Sequence, residues 1–569
     1  MKEKSNKYMP KTIPELIARS AELYKTRPAL TDRRANKPRT IAYEDLGAMV
    51  DYLSRALHAL GVKPGDKCAL LGPNSPEWAM AYLAIANIGA VCVPIDSLLS
   101  NNEIRHIIAD AGVKLAFVAP RFLDAILDTR IDYPRPEFIV VLAHNISEEQ
   151  SKGLMTFDEL KSKGKLAPKK AFSPQPEDLL ALIYTSGTTG APKGVMLSHW
   201  NVVSDILACA EAFDINGERF LSVLPMHHTF ECTAGFLLPI YTGSHITFAR
   251  SLKSRDIIED MKASRATVMF GVPLLFQKML EGLYRAVKQR PAKVRLAFQG
   301  MNAVAAVAER LGHQGLGKVL FKGLRRKAGL DSIRMLVAGG APLHPDIPKN
   351  YRRLGINLIQ GYGLTEASPV LTVNPEKAAI DSSIGPPLPG VEVKVLNPDD
   401  AGVGELVFRG PMIMKGYYRN PEVTSEVLDD EGWLKTGDLG YQDENGYLYI
   451  SGRAKNLIVS PAGKNIYPEE IEAEINKSPY ILESMVYGHP LPNGGEEVRA
   501  LLVPDFETIA SVFDGNMPSE DEIEKLVVKE ARKHLRRVAA YKRPKSFIIR
   551  NEELPKTSTK KIKRFLLKI

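Results

Sequence analysis

The sequence predicts an α/β protein in which a large N-terminal domain of parallel sheets, extended by a β-rich subdomain, precedes a small α+β domain. Three observations carry that expectation. From Lys67 onward short β-branched runs alternate with helical patterns, as in βαβ units whose parallel strands are covered on both faces. From Ile384 strands follow one another with turn residues between them and few helices. Beyond Arg453 a shorter mixture of strands and helices takes over. At roughly 100 to 200 residues per domain, 569 residues make two to four domains. The large domain is placed at 1–452 with its β-rich part at about 384–452, the small domain at 453–569, and a hinge near 453–456.

The elements follow in order. KCALLG, PEWAMAYLAIANIG, AVCVPI, EIRHIIADAG and VKLAFVA read as strand, helix, strand, helix and strand. After the Pro-rich stretch Ser173–Asp178 the alternation resumes with LLALIYTS, HWNVVSDILACAEAF, RFLSVL, SHITFAR, DIIEDMKAS and ATVMFGV. VEVKVL, GELVFRG and GYLYISG supply the β-rich part, and EEIEAEI, ESMVYG, VRALLV, EIEKLVVKEARKHL and SFIIR the small domain. Two uncharged runs, Trp78–Ile95 and Cys232–Ala249, are the best candidates for a membrane span. Both are broken by Gly and Pro, so each reads as helix, turn and buried strand.

Composition places the chain among globular proteins: 44% hydrophobic, 25% charged, mean hydropathy −0.13. The four cysteines, Cys68, Cys92, Cys209 and Cys232, are far apart and lack metal-ligand spacing, which points to a reducing compartment and no structural zinc. The start, MKEKSNKYMPKTIPELI, lacks the apolar core of a signal peptide, so export is not expected and the location expected is cytoplasmic. The formal charge of +9 is unevenly placed. Residues 529–569 carry 15 Lys+Arg against 3 Asp+Glu and residues 281–330 carry 11 against 2, which leaves an acidic body. Two basic segments on such a body suit local polyanions (nucleotide, CoA phosphates or an anionic membrane met peripherally at the inner face) rather than a nucleic-acid coat. Within 281–330, Val319, Leu320, Phe321 and Leu324 beside Lys322, Arg325, Arg326 and Lys327 are the expected membrane anchors.

YTSGTTGAPKGVMLSH, Tyr184–His199, is the most informative stretch. Its small and hydroxylated residues Thr185, Ser186, Gly187, Thr188, Thr189 and Gly190 leave backbone N–H groups free and add hydroxyls, which suits phosphate oxygens, and Lys193 adds a point charge. The spacing is not G-x-x-x-x-G-K-[ST], so an ordinary P-loop NTPase is disfavoured. Further along come LPMHHTFE at 224–231, AGGAPL at 338–343, GYGLTE at 361–366, WLKTGDLG with Asp438, GRAKNLI with Arg453 and Lys455, SPAGKNIYPEEIE at 460–472, and LPKTSTKKIKR near the end.

Taken together, in this order from about Thr12 to Arg564, these strings resemble the acyl-adenylate-forming (AMP-forming) superfamily, most of all its long-chain fatty acyl-CoA synthetases. The resemblance implies an acyl-CoA synthetase-like fold whose small domain is mobile. It also implies ATP and Mg²⁺ as cofactors, CoA as co-substrate, and the residue roles that follow. The loop at 185–190 with Lys193 wraps phosphate, and His228 lies beside the acyl carboxylate. Gly339, Gly340 and Ala341 form an adenine-binding turn. In Gly361–Glu366, Gly361 and Gly363 flank Tyr362, which stacks on adenine, while Thr365 bonds a phosphate and Glu366 holds Mg²⁺. Asp438 accepts both ribose hydroxyls, Arg453 contacts ribose or phosphate, and Lys455 is the pivot. Gly463 and Lys464 line the CoA channel, and Lys561 is the adenylation lysine. One departure stands out, because Lys560 replaces the glycine that the family places before that lysine. A non-glycine residue at φ > 0 costs about 1 kcal/mol, which would perturb the aim of Lys561.

These roles make one reaction: a carboxylic acid attacks the α-phosphate of ATP, and a thiol then displaces AMP. The long basic insert resembles that of long-chain synthetases, so a medium-to-long-chain fatty acid and CoA are the expected partners, with no nucleic acid; a homodimer is compatible with the sequence. The alternatives are an acyl-AMP ligase loading a carrier protein, an aryl-acid CoA ligase and, outside the enzymes, a fatty-acid-binding or transport protein.

Overall fold

The computed structural model describes residues 9–34, 38–144, 146–186, 192–312, 315–461, 464–492, 494–513, 517–556 and 562–567. Two units divide the chain, 1–392 with 409–434 and 393–408 with 435–569. The first is built on two eight-stranded sheets. One runs Val370–Val373, Asn357–Gly363, Met335–Ala338, Val268–Gly271, Arg219–Ser222, His245–Phe248, Pro28–Asp32 and Arg39–Ala42, parallel except at its two outermost pairings. The other runs Met155–Thr156, Phe138–Val141, Val113–Val118, Lys67–Leu71, Val91–Pro94 and Leu179–Ser186 in parallel, then Pro192–Ser198 and Gly416–Tyr417 antiparallel.

The uncharged runs resolve as their patterns require. Ser75 caps the helix Pro76–Asn87 by accepting from the Trp78 N–H, Pro76 sits in its first turn, and every residue from Pro76 to Ala86 is buried. Gly89, at φ 72°, turns the chain into Val91–Pro94, itself buried throughout. The second run is a π-helical stretch, Phe230–Leu237, then a short helix Leu238–Tyr241 and the strand His245–Phe248. No described helix is long and apolar enough to cross a membrane.

One core of this unit joins Met269, Phe276, Leu336, Tyr351 and Leu358 with Phe321, and another joins Leu71, Val93, Ile108, Ala116 and Leu182. The first core corrects the expected membrane anchors in part, because Val319, Lys322, Arg326 and Lys327 stay exposed while the other four do not. Phe321 is 1% exposed, Leu320 and Leu324 pack against the core, and Arg325 is buried with its guanidinium donating to the carbonyls of Leu330, Ile333 and Gly355. The physical reason is that carbonyls of two separate segments, 330–333 and Gly355, satisfy the cation internally. All four cysteines are buried and unpaired.

The second unit holds a four-stranded sheet, Glu392–Leu396, Gly404–Arg409, Leu434–Gln442 and Leu448–Arg453, so most of the β-rich segment groups with the C-terminal residues. It also holds the antiparallel pair Ile481–Pro490 and Glu496–Pro504, with Ser546–Ile549 parallel to the latter. The helices Pro468–Ile475 and Glu520–His534 supply Ile471, Ile475, Ile523, Val527 and Ala531 to a core with Val486, Ala500 and Leu502. The turn Ala454–Asn456, where the hinge was placed, lies inside this unit.

Candidate active site

In the first unit the motif residues gather at the carboxyl ends of parallel strands of both sheets, where open α/β sheets leave room for ligands. Ser186 ends Leu179–Ser186, His227 and His228 follow Arg219–Ser222, Gly339 follows Met335–Ala338, and Gly363 ends Asn357–Gly363.

The hairpin of Leu179–Ser186 with Pro192–Ser198 pairs Thr185 with Lys193 and brackets the loop 187–191. The Thr185 hydroxyl reaches the Lys193 carbonyl at 3.5 Å. Gly187, Thr188, Thr189, Gly190 and the Ser186 side chain lie outside the described residues, so only the base of the loop is seen. After the loop the chain forms a strand, and a helix begins only at His199, capped by Ser198.

Lys193 extends its ammonium over the ring of Tyr417, 5.4 Å from the centroid. The Tyr417 hydroxyl donates to Glu366 Oε1 at 2.9 Å. One phenol thus joins the cation below the loop to the carboxylate of GYGLTE. The neighbouring Glu366 carboxylate and burial push the Tyr417 pKa up, with burial the larger cause. The array is braced from behind: Met414 N–H donates to the Glu366 carbonyl at 2.8 Å, and Asn201 donates to the carbonyls of Pro411 and Ile413, each at 2.8 Å. Thr365 and Glu366 stand in a short 3-10 turn after Leu364. Tyr362 is half-buried and pairs with Thr372, while Gly361 pairs with Val373.

The turn after Met335–Ala338 has two glycine requirements. Gly340 lies at φ 81°, a region that favours glycine, and a Cβ on Gly339 would stand 2.9 Å from the Phe230 ring. Phe230 stacks on Phe270 with centroids 5.7 Å apart. Ala341 follows, half-buried.

The LPMHHTFE loop is pinned by Asn74, which donates to Ser222 Oγ and the Leu224 carbonyl and accepts from Met226 N–H. His227 is buried with Nε2 3.2 Å from Asp96 Oδ1, out of line for a hydrogen bond, and its ring lies 4.4 Å from that of half-buried His228. Asp96, His227 and His228 each offer a ligand atom within 4.8 Å of the others. Glu231, one turn on, is 1% exposed with Oε1 unpartnered, and burial pushes its carboxyl up to about 8.

In the second unit Asp438 is 3% exposed and pairs across the sheet with Arg453, Nε to Oδ1 at 2.8 Å. Lys455 is exposed in its 3-10 turn. Lys464 is exposed, its ammonium 4.6 Å from the Tyr541 ring centroid. Gly463, Lys560 and Lys561 lie outside the described residues. The segment 557–561 is bracketed by a bridge between Lys556 and Ile562 and by Lys563 N–H on the Pro555 carbonyl at 2.7 Å, and Arg564 donates to the Val486 carbonyl and to Glu472.

Sequence reasoning missed Tyr417, Phe230 and Asp96. Nothing in MKGYYRNPE sets Tyr417 apart from Tyr418, and Phe230 reads as ordinary core. Asp96 did leave a signal, an acid directly after the buried run AVCVPI at the carboxyl end of a parallel strand.

The profile of the AMP-binding enzyme family matches residues 17–418, and that of the AMP-binding enzyme C-terminal domain matches residues 470–561. The chain belongs to the AMP-binding enzyme family, the acyl-adenylate-forming superfamily, whose class is that of AMP-forming acid–thiol ligases. Among curated relatives it is similar to the peroxisomal long chain acyl-CoA synthetase 7 of Arabidopsis thaliana, 30% identical over 449 residues, 75% of this chain and 64% of that protein's length. It is equally similar to a feruloyl-CoA synthase of Amycolatopsis sp, 30% identical over 534 residues and 92% of each chain. ATP-bound MatB from Rhodopseudomonas palustris shares the fold with a TM-score of 0.74, 26% identity and 98% coverage of both chains.

Proposed function

We propose that the protein activates a medium-to-long-chain fatty acid with ATP and transfers the acyl group to CoA, in the cytoplasm. The observation that carries the adenylation is the array of Lys193, Tyr417 and Glu366, a cation and a carboxylate on one phenol beside a glycine- and hydroxyl-rich loop. A carboxylate is a poor electrophile because its leaving group would be oxide. Its oxygen therefore attacks the α-phosphorus, and the bond to pyrophosphate breaks. The thiol sulfur then attacks the acyl carbon, and the bond to AMP breaks.

The first step brings two anionic reactants together, so the protein's part is positioning and charge stabilisation. Lys193 and the N–H groups of the loop bind phosphate oxygens, Thr365 adds a hydroxyl, and the turn Gly339–Ala341 with Tyr362 holds adenine. His228 orients the acyl carboxylate, Asp438 and Arg453 hold the ribose, and Lys561 neutralises the developing charge. For the second step Lys455 is the pivot, and Gly463 with Lys464 receives CoA. Mg²⁺ takes oxygen donors, so Glu366 fits it, whereas Asp96, His227 and His228 present two imidazole nitrogens, a softer set. When bound, the ion offsets phosphate charge.

The fatty-acid reading is supported by the basic insert 281–330 and by the likeness to the plant synthetase. A second reading, an aryl acid, is favoured by the likeness to the feruloyl-CoA synthase over nearly its whole length. Release of AMP measured with ATP, CoA and an acid panel from octanoate to oleate, with ferulate alongside, decides between them. Higher kcat/KM for ferulate overturns the fatty-acid reading. Lys561→Ala is expected to abolish acid-dependent pyrophosphate release while sparing thioester formation from supplied acyl-adenylate. Equal loss of both removes Lys561 from the role, and loss with Lys560→Ala alone shifts the register by one.

A further inference from the structure

The helix Ala292–Arg310 turns one face to the core and leaves an apolar face in solvent. Inward, Ala305 and Ala308 are buried, and Phe298 and Met301 pack against the core, Phe298 lying 5.3 Å from the Phe321 ring. Glu309 is held by Arg352 at 2.7 Å. Outward, Leu296 is 71% exposed, Val304 52%, Val307 55% and Leu311 69%. Their spacing, with Gly300 and Ala303 between, puts them on one stripe of a helix about 28 Å long. Isolated exposed apolar residues are ordinary, but a row of them along one helix is a surface that binds something.

The charge around the stripe selects the occupant. Lys288, Arg290, Lys293 and Arg295 are exposed at its beginning, and Arg310, Lys318 and Lys322 at and beyond its end. From 282 to 330 the one acidic residue is Glu309, which is turned inward to Arg352. A second copy docking stripe to stripe would set like charges against each other, and an apolar partner would leave the cations unused. An anionic lipid surface satisfies both, taking the apolar side chains at the headgroup boundary and the cations among the headgroups.

We propose that the outward face of Ala292–Arg310, with Leu296, Val304, Val307 and Leu311 as anchors, is a peripheral docking surface for anionic bilayers. The inference rests on the fatty-acid reading proposed above, since an acid with a medium-to-long apolar chain partitions into bilayers. Each basic side chain near such a surface contributes about fivefold to binding, and salt screens that share.

The test is sedimentation of the full chain with phosphatidylcholine vesicles, with and without phosphatidylglycerol, at low and high salt. Wild type is expected to sediment with the phosphatidylglycerol vesicles and to be released by salt. Leu296→Glu/Val307→Glu is expected to bind at least about tenfold more weakly, and Leu166→Glu, at a residue 88% exposed outside the insert, to bind as wild type. Both variants are checked for unchanged thermal unfolding and unchanged turnover of octanoate, which needs no bilayer. Equal binding by wild type and the double variant overturns the proposal, as does failure of wild type to bind phosphatidylglycerol vesicles. A dimer in gel filtration that the double variant abolishes assigns the stripe to a second copy instead. Vesicle binding does not depend on turnover, so a protein that sediments but activates no fatty acid refutes the function and leaves the surface standing.

Discussion

Replacing Glu231 by Gln removes a buried ionisable group while keeping its size. The carboxyl is 1% exposed and Oε1 has no hydrogen-bond partner, while a hydrogen bond from Ser222 offsets only part of the burial, which pushes the pKa from 4.5 up to about 8. An acid whose folded pKa lies above its unfolded value binds its proton more tightly in the native state. Its contribution to stability is therefore full below the unfolded pKa and is lost as pH rises through the folded one. Between about pH 5 and pH 8 the loss is about 1.4 kcal/mol per unit, reaching about 3 kcal/mol at pH 7 and about 4 to 5 kcal/mol above pH 9. Glu231→Gln has no such slope from this position. Its amide leaves N–H groups without partners, a cost of about 1 to 3 kcal/mol that shifts the curve without tilting it. His199 and His245, which burial lowers to about 4, titrate alike in both proteins and cancel in the difference. Trp78, Trp200 and Trp433 all belong to the unit that contains Glu231, so tryptophan fluorescence during denaturant unfolding reports that unit. The stability of the variant relative to wild type should rise by about 4 kcal/mol from pH 5 to pH 9. Parallel stability–pH curves would refute the argument, because the carboxyl would then be solvated or paired in the native state.

Tyr417→Phe keeps the ring under Lys193 and removes the hydroxyl from Glu366, so the Mg²⁺ concentration for half-maximal adenylation and the KM for ATP should rise about tenfold with the KM for the acid unchanged; an equal rise in the acid's KM would point to a general structural defect. Gly339→Ala should raise the KM for ATP and lower the Tm, since its Cβ would meet the Phe230 ring at 2.9 Å, and Phe230→Leu in the same chain should restore both. Without that restoration the turn is limited by something other than the ring. Lys455→Pro fixes a torsion at the expected pivot, so adenylation should persist while thioester formation stops; normal rates for both steps would move the pivot elsewhere.

The succession of strands and helices from Lys67 to Val272 was legible because buried parallel strands require uninterrupted apolar runs, and Gly, Pro and capping residues mark their limits. That is how Trp78–Ile95 is read as helix, turn and strand. The motif residues of the site were legible for a related reason, since a loop that wraps phosphate and a turn beside a flat ring are each made within a few consecutive residues. Pro192–Ser198 was not legible as a strand, because Pro and Gly open it and its pairing depends on Leu179–Ser186 and Gly416–Tyr417. Tyr417 on Glu366, His227 beside Asp96 and Phe230 against Gly339 join residues 51, 131 and 109 positions apart, and no local pattern encodes such meetings. The basic insert gives the sharpest contrast. Its composition announces apolar and cationic side chains together, but Ala292–Arg310 is apolar on more than one side, so periodicity does not choose which side faces the core. That choice falls to the packing of Phe298 on Phe321, the ion pair of Glu309 with Arg352 and the carbonyls that surround Arg325. These contacts bury Phe321 and Arg325, draw Leu320 and Leu324 against the core, and leave Val319 with Leu296, Val307 and Leu311 in solvent.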